Sequence, residues 1–341
     1  LQLNFFAEKD LEFLLAGVDN PQSLLRRARA QGLVEVTQNK QQQAQKNYRI
    51  IPNAFWDKIR QSVPADEALL IHREIIAWYS RELSYENQTR IADHFECIGA
   101  QHWDADEVEK VFQLNCDCGQ KALQSYAYQV ANVYFSRAVS YLPVESWQSK
   151  YQATLQLFQD AAFVKLHTGA YVEALDLIEE IFKQAHTPED KAIAVELQME
   201  TWKLRNDLNT AIDCGLAYLN DLGLAMEANP PDWKSKMLFS RVLWPFLLRR
   251  ESSIILQKKA DDHRALAKAK ILIALGPIVY LGRPSLLSAI MREELLLVFK
   301  HGHFDHSAYW FASLAMVLRG HLGWIKSSLK ATNIAEKLLA S

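Results

Sequence analysis

Over most of this chain apolar residues recur three and four positions apart, the spacing that gathers them on one face of an α-helix. Ala65 to Leu83 carries Leu69, Leu70, Ile75, Ile76, Trp78 and Tyr79 in this pattern and predicts a buried helix. Further helices are predicted from Asn87 to Ala100, from Asp104 to Ala122 and from Ala122 to Tyr141, where Ala127, Ala131 and Ala138 alternate with Tyr134 and Phe135. Trp147 to Thr168 and Tyr171 to Ala185 pair around Gly169, and Lys191 to Leu204 and Leu208 to Leu222 pair around Asn206-Asp207. Thr187-Pro188-Glu189-Asp190 reads as a helix cap with proline at the first helical position. Asn229-Pro230-Pro231 breaks the pattern; beyond it come Trp233 to Arg250, with Pro245 expected to kink it, then His263 to Leu275 joined through Gly276-Pro277 and Arg283 to Pro284 to Lys300. His306 to Arg319 and Trp324 to Ala340 complete the series, and Glu251 to Asp262 carries the weakest signal.

The first sixty residues alternate differently. Phe5 to Ala16 predicts an amphipathic helix, Asn20-Pro21 opens a second that carries Ser23 to Gln31, and Gly32 ends it. Leu33 to Val36 and Tyr48 to Ile51 have β-branched and aromatic character and predict two strands across a polar loop from Thr37 to Asn47. Helix, turn, helix and a two-stranded ribbon describe a winged-helix module. The expected fold is therefore all-α, an α-α superhelix of helical hairpins with a small N-terminal winged-helix module at residues 1–64. Residues 65–225 form the repeats, and residues 226–341 continue the superhelix.

Ala174 and Ala211 stand 37 positions apart in the second helices of their pairs, near the ~34-residue period of tetratricopeptide (TPR) repeats. "GAYVEALDLIEEIF", Gly169 to Phe182, resembles the start of a TPR second helix. Trp147 to Leu224 as a whole, together with Gly119 to Tyr141 and Tyr309 to Leu339, resembles the helical-repeat region of bacterial STAND/AAA-type predicted ATPases found in multidomain signalling proteins. In that family an ATPase core is followed by a winged helix, the helical array and an output unit such as a histidine kinase, a nucleotide cyclase or a diguanylate cyclase. The resemblance implies a non-catalytic regulatory or sensor region that binds a protein, a peptide or a small ligand, or neighbouring domains of the same polypeptide. The alternative is a DNA-binding transcriptional regulator with a TPR-like sensor domain. Where the family often shows an HDR segment, this chain has Ile71-His72-Arg73-Glu74, to which no function is assigned. No G-x-x-x-x-G-K-[ST] loop occurs in the sequence, so a phosphate cradle of that kind is not expected, nor is any cofactor.

Composition agrees with a folded helical protein: 49% of the 341 residues are hydrophobic, with only 12 glycines and 10 prolines. The net charge of −2 supplies no global attraction for nucleic acid, which is not the expected partner. The chain begins at Leu1 without a signal-peptide pattern, as a piece of a longer cytoplasmic protein would. The longest apolar stretch, Ile271 to Leu281, holds Gly276 and Pro277 and is shorter than the ~20 residues that span a bilayer, so no membrane insertion is expected.

Candidate chemistry is sparse. Arg26, Arg27 and Arg29, with Lys40 and Lys46 in the wing, are the residues to contact nucleic acid if any do. His301, His303, Asp305 and His306 form the densest set of potential metal ligands, but Gly302 suggests a helix end at which the histidines meet the dipole and the aspartate caps the next helix. No metal site is therefore expected. Cys116 and Cys118 lie two positions apart on a helix, pointing away from each other. Trp78, Trp103, Trp147, Trp202, Trp233, Trp244, Trp310 and Trp324 are expected chiefly in the core, with a minority lining a binding surface.

Overall fold

The computed structural model describes residues 5–7, 20–38, 46–50, 62–82, 84–143, 145–320 and 322–340. The chain divides into two compact units, Leu1–Lys121 and Ala122–Ser341.

In the smaller unit, β1 (Phe5–Ala7), β2 (Val34–Gln38) and β3 (Lys46–Ile50) form an antiparallel sheet in the order β1-β3-β2, with Phe6 opposite Tyr48 and Val36 opposite the same residue from the other side. The helix expected from Phe5 is thus replaced at Phe5–Ala7 by a strand. Phe5-Phe6-Ala7 gains more from pairing with Lys46–Ile50 than its local periodicity can supply. The rest of that expected helix, Lys40, and the outer part of the expected wing lie outside the described residues. The strands also run further than expected, to Gln38 and from Lys46, because the polar residues there extend the ladder on both sides. α1 (Pro21–Ala30) starts as expected: the Asn20 side chain accepts from the Ser23 amide (3.2 Å), with proline at the first position.

α2 (Ala65–Tyr79), α3 (Tyr85–Ile98) and α4 (Ala105–Gln124) follow, burying Ile76, Tyr79, Ile91, Phe95, Val111 and Phe112. Arg73 closes the base of this group, donating to both Glu107 oxygens (2.5 and 3.3 Å) and to the His102 carbonyl (2.8 Å). His72 and His94 meet Nδ1 to Nδ1 at 2.8 Å.

The larger unit contains two successive helical hairpins, and the turn that follows α4 shares the geometry of theirs. α4 is followed by α5 (Tyr128–Ser140), the short α6 (Ser146–Ser149) and α7 (Tyr151–Thr168) by α8 (Tyr171–Gln184), and α9 (Pro188–Leu204) by α10 (Leu208–Asp221). At the three turns Tyr126, Gly169 and Asn206 take φ of 57°, 84° and 62°. In each turn the next amide reaches back to the carbonyl five residues earlier, Ala127 to Ala122, Ala170 to Lys165 and Asp207 to Trp202, all at 2.9 Å. That 6→1 bond with a left-handed residue is the Schellman ending of a helix. Five residues past each left-handed position stands a fully buried alanine, Ala131, Ala174 and Ala211, and a larger side chain at Ala174 or Ala211 would push the paired helices apart. The equivalence of Ala174 and Ala211 in the sequence thus extends to Ala131. Two expected helices are broken. The one from Ala122 to Tyr141 turns at Tyr126, and the one from Trp147 bends at Lys150, whose φ of −134° and ψ of 44° separate α6 from α7.

The start of α9 is a reciprocal cap. Thr187 Oγ1 accepts from the Asp190 amide (3.1 Å) and Asp190 Oδ2 from the Thr187 amide (3.0 Å), while the Tyr151 hydroxyl donates to Asp190 (2.8 Å) and its ring stacks on His186. α7 packs on α5, α8 and α9, and α9 on α8, α10 and α13 (His263–Gly282), so each hairpin is covered by the next.

α13 corrects the expected break at Gly276-Pro277: the helix runs through both to Gly282. A proline inside a helix costs ~3 kcal/mol, but α13 buries Ala265, Ala267, Ala269, Ile271, Leu272, Leu275, Ile278 and Val279 against its neighbours, which outweighs that loss. Its 20 residues are long and apolar enough to cross a bilayer, which corrects the shorter stretch expected from Ile271 to Leu281, and they pack on α9, α10 and α14 (Leu287–His301). Arg283 fastens its end to α10 through Asp213 (2.6 and 3.1 Å) and Asn209 (2.9 Å).

α11 (Asp232–Leu248) likewise continues through Pro245, and Lys330 caps its end by donating to the carbonyls of Phe246 (2.7 Å), Leu247 (3.1 Å) and Arg249. α12 (Glu251–Ile255), α14 (Leu287–His301, preceded by a 3₁₀ turn at Pro284–Leu286), α15 (Ser307–Gly320) and α16 (Ile325–Leu339) complete the unit. Among the described residues from 62 onward the strand-like pairing is one bridge between Lys259 and His303.

Candidate functional site

In the larger unit α5, α7 and α9, with the last turn of α4, surround a cavity of about 620 Å³ lined by Leu123, Gln124, Tyr126, Tyr128, Gln159, Asp160, Phe163, Glu196, Leu197 and Glu200. Each side chain is placed by the hairpin repeat. Tyr126 and Tyr128 flank the first turn, Gln159, Asp160 and Phe163 share one face of α7 at three- and four-residue spacing, and Glu196 and Glu200 are one helical turn apart on α9.

One side of the cavity is aromatic. The Tyr128 ring stands 6.4 Å from Tyr126 at 85° and 6.2 Å from Phe163 at 65°, and His167 lies 5.0 Å from Tyr128 and 4.2 Å from Phe163. The ring of His167 is held by Nδ1 against the Phe163 carbonyl (2.9 Å).

The other side is acidic. Asp160 accepts from Gln156 Nε2 (3.0 Å), and burial nonetheless holds its carboxyl above the ordinary range, since that hydrogen bond offsets less than desolvation adds. Burial likewise raises Glu196, while Lys270 of α13, its Nζ 3.8 Å away, pulls in the opposite direction. Glu200 pairs with Lys203 on its own helix. Asp160 has no cationic partner among the described residues.

The residues singled out from sequence lie elsewhere. Arg26, Arg27 and Arg29 are exposed on α1. The histidine-rich segment does not gather into a metal site. His303 is buried with Nε2 against the Ile254 carbonyl (2.7 Å), His301 faces Asp262 (3.7 Å), and Asp305 pairs with Lys259 (2.6 Å). The Asp305 carboxylate thus turns to Lys259, and at the start of α15 Ser307 Oγ accepts from the Phe304 amide (2.9 Å). Gly302 ends α14 with φ of 96°, as expected of a helix end. Among the described residues no three His, Cys, Asp or Glu side chains converge to hold an ion. Cys118 is buried, Cys116 half-buried, and all four cysteines are thiols.

The tryptophans divide. Trp147 and Trp310 are core, Trp78, Trp103 and Trp202 are half-buried, and Trp233, Trp244 and Trp324 are exposed, so the expectation of a chiefly core role holds for fewer of them than the apolar periodicity implied. The cavity residues themselves escaped sequence reading. The signals were the Glu196/Glu200 and Asp160/Phe163 spacings, both ordinary on a helix, and the Tyr126-Ala127-Tyr128 break, hidden by its apolar character.

Comparison of the chain with protein-family models, with curated proteins and with solved structures returned no match.

Proposed function

We propose that this chain is a regulatory and protein-interaction region of a STAND-type signalling ATPase, in which a winged-helix module precedes a superhelix of TPR-like hairpins and a protein or small ligand held on the hairpins controls a linked output domain. One observation carries the reading: two successive hairpins, and the turn before α5 with the same Schellman bond and the same buried alanine, frame a cavity whose lining is recognition chemistry, aromatic rings and carboxylates on rigid helices. The sheet order β1-β3-β2 beside α1 supports the winged-helix assignment. A ligand in the cavity touches two hairpins at once, so it biases any rearrangement that slides one on the other, provided it binds the two forms unequally.

The test is made in the polypeptide that carries this chain. Tyr128→Ala with Phe163→Ala should change stimulated output while circular dichroism shows the helices intact. Basal and stimulated output both equal to wild type would refute the proposal.

A second reading, a DNA-binding transcriptional regulator with a TPR-like sensor, is favoured by the exposure of Arg26, Arg27 and Arg29 on α1. Sequence-selective retention in a mobility-shift assay at physiological salt, abolished by Arg26→Ala with Arg27→Ala, would select it. Retention that merely fades with salt would not.

A further inference from the structure

The lining of the cavity narrows the ligand further than the regulatory reading does. An anion would meet Asp160, Glu196 and Glu200, and a neutral polar ligand would leave Asp160 desolvated without a counter-charge. A cation satisfies both sides at once: aromatic faces attract it through their quadrupoles, and Asp160 neutralises it, whereas Glu196 and Glu200 already face Lys270 and Lys203. Leu123 and Leu197 add an apolar surface suited to a methylene stem. We propose that this cavity binds an aliphatic ammonium group, carried by a free diamine or polyamine or by a lysine side chain, an assignment that deepens the ligand-binding reading above and rests on it.

Tyr126 adds an independent mark. At the equivalent turn positions stand Gly169 and Asn206, residues that tolerate the left-handed region, whereas Tyr126 holds φ of 57° with a side chain that disfavours it. What this strained position carries is a residue 79% exposed at the edge of the cavity, its ring set nearly perpendicular to Tyr128. Asparagine would relieve the backbone and remove the ring. Tyr126→Asn is therefore expected to raise the melting temperature and weaken ligand binding together, a combination that a purely structural role for Tyr126 does not produce.

The experiment is isothermal titration of the full chain at physiological salt with 1,5-diaminopentane, with a short capped peptide bearing one central lysine, and with 1,5-pentanediol as the uncharged control. The expected result is saturable binding of at least one amine and none of the diol. Asp160→Asn should weaken binding about tenfold, and Phe163→Leu or Tyr126→Asn about threefold. Tighter binding of the diamine assigns the free amine as source, and tighter binding of the peptide assigns a protein side chain. The proposal is overturned if neither amine saturates by about 10 mM, or if binding ignores both Asp160→Asn and Phe163→Leu, as adherence to a diffuse acidic surface would. The two readings fail separately. Absent amine binding with altered output in the cavity variants removes the ammonium and leaves the regulatory role, whereas intact amine binding with unaltered output does the reverse.

Discussion

Acidification should loosen the smaller unit through His94. This side chain is 5% exposed on α3, and burial first, then His72 and Arg90, lowers its pKa from 6.5 to about 4. Its Nδ1 lies 2.8 Å from that of His72, which burial also lowers. One of these nitrogens must donate and the other accept, so doubly protonated rings cannot keep the contact. Because the folded pKa lies below the unfolded one, the unfolded chain binds more protons between the two values. Stability is full above pH 6.5, declines as pH falls towards 4, and levels off below that. From these values His94 withdraws about 2 kcal/mol between pH 7.5 and 5 and about 3 kcal/mol by pH 4. Hydrogen exchange of the α3 amides, corrected for intrinsic rates, reads this loss locally and so avoids treating two units as one transition. His94→Gln should cut the pH dependence by more than half while His94 itself titrates near 4 by NMR. An α3 opening free energy that is flat or rising towards acid in the wild type would refute the reasoning.

Other substitutions probe the larger unit. A Cβ on Gly302 would stand 2.1 Å from the Lys258 carbonyl oxygen at a φ of 96°, so Gly302→Ala should break the Lys258–His303 and His303–Ala260 hydrogen bonds and cost about 3 kcal/mol in denaturant unfolding. A loss below about 0.5 kcal/mol would show that the bridge is dispensable. Lys330→Met keeps the packing on Phe246 but removes the donor to three carbonyls at the end of α11, and should lower stability by about 2 kcal/mol, with faster exchange at residues 249–252. Glu294 is buried in α14 with its carboxyl raised well above the usual range by desolvation, so its charged form opposes folding increasingly as pH rises above 4.5. Glu294→Gln should therefore stabilise the chain at pH 8 more than at pH 5, and equal effects at both would remove the argument.

The helices from residue 62 onward were legible because amphipathic spacing and strong stop signals coincide. Gly169, the Thr187-Pro188 cap and Asn206 each mark an end by its own local chemistry. Legibility failed where tertiary contacts overrode local preference. Pro277 looks like a break because isolated helices cannot tolerate it, but α13 is held on several sides by burial. Phe5–Ala7 looks helical until β3 is available to pair with it. Tyr126 looks helical because nothing in tyrosine announces a left-handed turn, and with that turn hidden the cavity was hidden too. Its carboxylates come from helices whose exposed faces carry many others, and only packing selects Asp160 and Glu196 from among them.

The central claim, that ligands are recognised in the cavity framed by α5, α7 and α9, is tested most directly by mapping hydrogen exchange over the full chain with and without saturating 1,5-diaminopentane or the lysine peptide. The account predicts slowed exchange at residues 122–128, 156–163 and 196–200, with little change in β1, β2 and β3. Protection confined to other segments, or no change at those three, would contradict it.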